Sequence, residues 1–246
     1  MMKPFTQYYT VQAIHLDAKR QLRPSVLLHF VQEAAGGHCL QLGLDWESLA
    51  KKGLFWAVIR HRLEIERLPK EGEMLRVETW PMPTTRSAFP RAAAGYDAEG
   101  NLVFRCTSLW VLMSQETRQM VLPGKSGIDL EGITLGNELP APGSLPPSNG
   151  EDAASRRVWY SELDRNGHMN NTHYLEWALD LLPSDFRKLF DLRQASITYL
   201  SEIREGEEIH LTKSISEEGI FRVDAHRQRT DVPGKFERVF AVQMEF

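Results

Sequence analysis

The sequence predicts an α+β fold made twice, in two halves that are each an antiparallel sheet wrapped around one long helix. Three observations carry that expectation. One apolar stripe at helical spacing occurs in each half. A train of segments with the two-residue period of strands follows each stripe. Between the halves runs a stretch rich in Gly, Pro and Ser, which cannot sustain a helix or a central strand. At 246 residues the chain is long enough to bury a core in each half.

The first stripe is Leu27, Phe30, Val31, Ala34, Ala35 and His38, with Gly43 placed to stop the helix after Leu42. Ala57, Ile59, Leu63 and Ile65 then alternate with Arg60, Arg62, Glu64 and Glu66, the pattern of a strand with one face in a core. The turn Glu71-Gly72-Glu73 leads to Leu75, Val77 and Thr79, and a later strand runs from Leu102 to Met113. Composition places a first domain at 1–125, a linker at 126–155 and a second domain at 156–246. In the second domain Tyr174, Trp177, Ala178, Leu181 and Leu182 form the matching stripe, ended by Pro183, with Asn170 or Asn171 as a natural N-cap. Ile197 and Tyr199, the turn Glu205-Gly206-Glu207, and Ile209 and Leu211 follow at nearly the same offsets as in the first half. Strands at Phe221 to Ala225 and Val239 to Phe246 complete it. Pairing the two sheets side by side would cover an exposed edge of each and make a pseudo-dimer within one chain.

Composition excludes several functions. Apolar residues make up 42% of the chain and charged residues 25%, which rules out a disordered or fibrous chain. A net charge of −4 argues against broad nucleic-acid binding, which needs a basic field. Cys39 and Cys106 are too few and too far apart for a disulfide scaffold. The first residues lack the apolar segment of a secretory signal, and no stretch has the apolar length to span a bilayer, so a cytoplasmic protein is expected. The eight histidines never take a metal-motif spacing, and no Gly-rich phosphate loop or Gly-x-Ser-x-Gly elbow occurs, so neither a metal nor a cofactor is expected.

One polar segment stands out. Asp164-Arg165-Asn166-Gly167-His168 lies directly before the second stripe and contains no core residue. Asn, Gly and Asp are the usual residues of a capping turn, and alone the segment reads that way first. The functional alternative is that a helix N-terminus offers free N–H groups and a positive dipole end to a carbonyl oxygen, with Asn166 and His168 as added donors. Hydrolysis at such a carbonyl also needs a base. Glu202, at a strand end, is one candidate; Glu33 and Glu176, on the two helices off their apolar stripes, compete with it. Cys39, deep in the first helix, reads as an inert thiol.

Taken together, these residues resemble the acyl-acyl carrier protein thioesterases, double-hotdog enzymes of plant plastids and bacteria. Phe55-Trp56-Ala57-Val58, Leu68 to Glu73, Val77-Glu78-Thr79-Trp80 and Trp110 to Arg118 are similar to segments of the family's first half. Asp164 to Asn171 with Tyr174 and Trp177, and Tyr199-Leu200-Ser201-Glu202, resemble its second. The resemblance implies a tandem hotdog fold and hydrolysis of fatty acyl-acyl carrier protein, with Asp164, Asn166, His168 and Glu202 as catalytic residues. Many plant members carry a Cys directly after that Glu; here the position is Ile203, which implies chemistry by Glu202, as base or as attacking carboxylate, and not by a thiol. It also makes Phe30, Val31 and Trp56 candidate lining of an acyl-chain tunnel, while each taken singly reads first as core. The implied partner is the acidic acyl carrier protein, for which Arg60, Arg62, Arg67, Arg86, Arg91, Arg187 and Lys188 are available. The implied member is a soluble one of the bacterial type, and self-association stays open. Three alternatives keep the same residues: an acyl-CoA thioesterase, a hydratase-like hotdog enzyme, and a non-catalytic acyl-binding protein.

Overall fold

The computed structural model describes residues 3–229, 231, 232 and 234–246. The chain divides into two compact units, Met1–Pro142 and Gly143–Phe246, each with an antiparallel sheet and a helix packed on it. The α+β expectation holds in both.

In the first unit, β1 (Phe5–Thr10) is followed by α1 (Pro24–Gln41), α2 (Trp46–Ala50), β2 (Leu54–Ile65), β3 (Met74–Pro81), β4 (Phe89–Tyr96), β5 (Leu102–Ser114) and the short β6 (Met120–Val121). Strands pair antiparallel in the order β1-β3-β4-β5-β2, with β6 beside β5. Pro24 opens α1, where its missing N–H removes no helical bond, and Gly43 follows the helix at φ +66°. Leu27, Phe30, Val31, Ala34, Ala35 and His38 are all buried, as the stripe predicts. In β2 a bulge between Val58 and Arg60 shifts the alternation, so Val58 and His61 are buried while Ala57 and Ile59 are only half-buried.

Three strands of this sheet, β1, β4 and β6, escaped the sequence pattern. Seven of the eight residues of β4 are buried, so Pro-Arg-Ala-Ala-Ala-Gly shows no alternation to read. Its Gly95 is required, because a Cβ there would lie 2.0 Å from the ring of Phe104.

The second unit contains β7 (Glu151–Arg157), α3 (His173–Asp180), α4 (Ser184–Leu189), β8 (Gln194–Tyr199), β9 (Glu208–Ile215), β10 (Phe221–Gln228) and β11 (Phe236–Glu245). Its antiparallel order is β8-β11-β10-β9-β7. Tyr174 and Trp177 of α3 meet Phe240 of β11 at ring-centroid distances of 4.7 and 6.5 Å. The long second helix expected from the stripe is a correction: α3 has eight residues. Leu181 and Leu182 close it with tighter i→i−3 bonds to Ala178 and Leu179, and Pro183 ends it. The N-cap position is Thr172, not Asn170 or Asn171.

Residues 126–150 carry no helix or strand, but they are tied down. Leu139 is buried and its carbonyl accepts the Thr107 hydroxyl, and Glu138 accepts the indole N–H of Trp80 at 3.0 Å, both within the first unit. Leu145 and Ser148 donate backbone N–H bonds to Thr198 and Asp224 of the second unit. Glu151 to Ser155, expected as linker, begin β7, an edge strand paired with β9.

Candidate active site

The polar segment forms a closed loop. Isolated bridges pair Leu163 with Met169 and His168 with Arg204, Asp164 N donates to His168 O at 2.7 Å, and Gly167 N donates to Asp164 O at 3.0 Å. Gly167 turns the chain at φ +75°, a conformation that disfavours a side chain. Inside the loop the Asp164 carboxylate acts as its organiser. Oδ1 accepts from Asn166 N at 2.8 Å and His168 N at 3.1 Å, and Oδ2 accepts from Asn166 Nδ2 at 3.1 Å. Asp164 therefore fixes both neighbours at which chemistry was expected.

Glu202 comes to this loop from the end of β8. Met169 N donates to Ile203 O at 2.8 Å, and with the His168–Arg204 bridge this places Glu202 Oε2 3.2 Å from His168 Nε2. The His168 side chain is 16% exposed and that of Glu202 36%, so the pair sits at the surface end of a partly desolvated site. Beneath it lies Tyr174, which the apolar stripe presented only as core. Burial first, and then the carboxylates of Asp164, Glu202 and Glu207, push its hydroxyl well above the ordinary tyrosine range, so it stays protonated. Tyr199 hydroxyl donates to Asn171 O at 3.1 Å and ties β8 to the entry of α3.

The helix start is less available than expected. Asn170 Oδ1 accepts from Thr172 N and Thr172 Oγ1, both at 3.1 Å, and His173 N donates to Asn170 O at 3.1 Å. Two of the first N–H groups are thus satisfied within the chain. The competing carboxylates lie elsewhere. His173 Nδ1 is 2.6 Å from Glu176 Oε2, and Glu33 belongs to the first unit, where it acts on the Tyr9 hydroxyl. Cys39 is held protonated mainly by burial, and Cys106 is pushed up to about 12 by burial. Among the described residues no group of three or more His, Cys, Asp or Glu is placed to hold a metal ion, and no helix is long and apolar enough to cross a membrane.

The cationic residues expected to offer a docking face are largely engaged. Arg62 pairs with Glu64, Arg67 with Glu73 and Asp97, Arg187 with Asp180 and Lys188 with Asp185. Arg91 is a correction: it is 6% exposed, inside the first unit, where it donates to His38 Nδ1 at 3.1 Å and Thr79 Oγ1 at 3.3 Å.

The first unit repeats the loop with other side chains. Leu16 bridges Leu22 and Gln21 bridges Lys70; Asp17 N donates to Gln21 O at 2.8 Å and Arg20 N to Asp17 O at 3.1 Å. Asp17 Oδ1 accepts from Lys19 N and Gln21 N at 2.8 and 3.1 Å, the bonds that Asp164 makes to Asn166 and His168. Leu22 N donates to Pro69 O as Met169 N does to Ile203 O. Lys19, Arg20, Gln21 and Leu68 therefore stand where Asn166, Gly167, His168 and Glu202 stand in the second unit.

Residues 2–122 match the acyl-ACP thioesterase N-terminal domain and residues 148–239 the acyl-ACP thioesterase C-terminal domain. The chain is 26% identical over 213 residues to the chloroplastic palmitoyl-acyl carrier protein thioesterase of Gossypium hirsutum, covering 80% of this chain and 52% of that protein. It is 24% identical over 237 residues to oleoyl-acyl carrier protein thioesterase 1 of Arabidopsis thaliana, covering 87% of this chain and 65% of that one. The chain thus spans about half the length of most of these relatives. Its fold is like that of an acyl-ACP thioesterase from Bacteroides thetaiotaomicron, with TM-score 0.82 and 24% identity over 97% of this chain and 96% of that one. The 12:0-ACP thioesterase of Umbellularia californica gives 0.77 and 21% over 98% and 96%. With its two halves matched in order by the family's two domains, the chain belongs to the acyl-ACP thioesterase family.

Proposed function

We propose that this chain hydrolyses the thioester of a fatty acyl-acyl carrier protein, giving a fatty acid and the free carrier thiol. The observation that carries the reading is the contact of His168 Nε2 with Glu202 Oε2 at 3.2 Å beside the Asp164-organised loop. Family membership supports the reaction class, and the relatives' names supply the carrier.

In this reading Glu202 supplies the chemistry. As a general base it takes a proton from water, the water oxygen adds to the thioester carbonyl, and the C–S bond breaks with the proton passing to the leaving thiolate. As a nucleophile it adds to the thioester carbonyl, the C–S bond breaks and the thiolate leaves as a protonated thiol, and water then opens the resulting mixed anhydride to the fatty acid and the free carboxylate. His168 orients the carboxylate, Asn166 faces the reacting carbonyl, and Asp164 holds both. The position after Glu202 is the buried Ile203 and Cys39 and Cys106 are held protonated by burial, which supports chemistry by the carboxylate and not by a thiol. After a single turnover in ¹⁸O-water, label in the Glu202 carboxylate establishes the nucleophilic route, because water activated by a base labels the fatty acid alone.

The deciding experiment is Glu202→Gln, assayed on acyl carrier protein and on CoA bearing the same acyl group. The expected result is a loss of roughly 10²–10⁴-fold in kcat with the fold intact, and preference for the carrier protein. Retained hydrolysis would move the base to Glu176, and equal turnover of both carriers would make the chain a general acyl thioesterase.

A further inference from the structure

The repeated loop offers an internal comparison for the residues that surround Glu202. The segment entering the loop is held alike in both units. Glu66 N and Arg67 N donate to Val103 O at 2.9 and 3.4 Å, and Leu200 N and Ser201 N donate to Val239 O at 2.9 and 3.1 Å. The following turn is closed alike as well, by Lys70 N to Glu73 Oε1 at 2.7 Å and by Arg204 N to Glu207 Oε2 at 2.8 Å. Arg67 therefore occupies the place of Ser201, and Glu73 the place of Glu207.

Each unit neutralises this turn glutamate with an arginine, but from a different element. In the first unit the arginine is on the segment itself: Arg67 reaches Glu73 at 2.7 Å and Asp97 at 3.1 Å. In the second unit that place is the small Ser201, and the arginine is Arg227 of β10. It pairs with Glu207 at 2.8 Å and with Glu237. It also does something Arg67 does not: Nη1 donates to the main-chain carbonyl of Glu202 at 3.0 Å, and Nη2 to Ser201 Oγ at 3.0 Å.

An acid-arginine-acid cluster at this turn needs no arginine on the neighbouring strand, since the first unit builds one without it. What the placement at 227 adds is a pair of bonds to Ser201 and Glu202, and the unit that has them is the unit that carries the carboxylate. We propose that Arg227 is a positioning residue for Glu202, a role that rests on the proposed function. It clamps the main chain just beyond the end of β8, from which the half-exposed Glu202 carboxylate reaches His168 Nε2. Because Glu207 and Glu237 balance the guanidinium, the clamp acts by geometry without leaving an unpaired cation under the base. A misplacement of about 1 Å in such a group costs on the order of 10²-fold in rate.

The test uses the full chain, with Arg227→Gln and Arg227→Lys made in the native and the Glu202→Gln backgrounds, and with Ser201→Ala alongside. The expected results are that Arg227→Gln lowers kcat on the order of 10²-fold while KM stays within about twofold, and that Arg227→Lys recovers part of the rate. In the Glu202→Gln background the residual rate should not fall further when Arg227 is changed. Ser201→Ala, which leaves both ion pairs in place, should lower kcat by a smaller factor and keeps the proposal testable if Arg227→Gln does not fold. Equal losses with and without Glu202, or an effect on thermal stability alone, would make Arg227 purely structural and overturn the proposal. Wild-type hydrolysis by Glu202→Gln itself would instead overturn the proposed function, and the inference with it.

Discussion

Asp164 holds His168 by the main chain and not by the imidazole: Asp164 Oδ1 accepts the His168 backbone N–H at 3.1 Å, and the ring is left to meet Glu202. The arrangement differs from a relay in which the acid orients the imidazole through its second nitrogen. Asp164→Asn should therefore be the milder change, since an amide oxygen can still accept both backbone N–H bonds and only the bond from Asn166 Nδ2 is lost, whereas Asp164→Ala should release the loop. The expected loss for the alanine is roughly 10²-fold in kcat, from displaced Asn166 and His168, and about 1–2 kcal/mol in stability. Kinetics and denaturant melts of both variants check the difference; equal damage from the two would show that the charge matters more than the bonds.

Gly167 has nothing within 4 Å of the position a Cβ would take, so steric contact does not demand glycine there. Its φ of +75° does, and Gly167→Ala should cost about 1 kcal/mol through backbone strain alone. Arg20, at the matching place in the first unit, already adopts φ +60° with a side chain, so the loop should survive the change. Chemical denaturation gives the number, and the loop's shape predicts that kcat falls by less than about tenfold.

Stability should fall in acid through His61. It is fully buried, and desolvation lowers its pKa from 6.5 to about 4. The unfolded chain binds this proton more readily than the folded one, so the contribution is complete above about pH 6.5 and is lost as pH falls toward about 4. The shift corresponds to roughly 3 kcal/mol for His61. Melting temperature measured between pH 7 and 4 should drop, and His61→Gln should flatten part of that drop.

Thiol reagents should leave hydrolysis intact. Cys106 is buried with its thiol pushed up to about 12, and burial raises Cys39 too. Iodoacetamide at neutral pH should neither label Cys106 in the native protein nor slow the proposed hydrolysis. Rapid inactivation would reopen a thiol mechanism.

Some of this was legible in the sequence, and the reasons are local. The first helix was plain because the stripe from Leu27 to His38 is followed by Gly43, a glycine suited to positive φ. The second was overextended because Leu181 and Leu182 keep the apolar spacing after the backbone has tightened. Strand β4 was invisible because alternation vanishes when both faces are buried. At the site, Asp164, Asn166 and His168 share one loop and could be read together. Glu202 is joined to them by strand ends distant in sequence, which residue spacing does not reveal and the family resemblance supplied. Arg227 had no signal at all: it is one cation on the polar side of an ordinary strand, and its meaning depends on Ser201 being small.

The duplicated loop has a consequence for how such a site arises. A frame of one aspartate, one tight turn and two short bridges is stable with lysine, arginine and glutamine on it as well as with asparagine, glycine and histidine. The main-chain bonds of the frame are therefore the same whichever of these side chains it carries. Two copies of one frame in a single chain thus leave either free to change its side chains while the other keeps them, and a comparison of the two shows which bonds the frame itself requires.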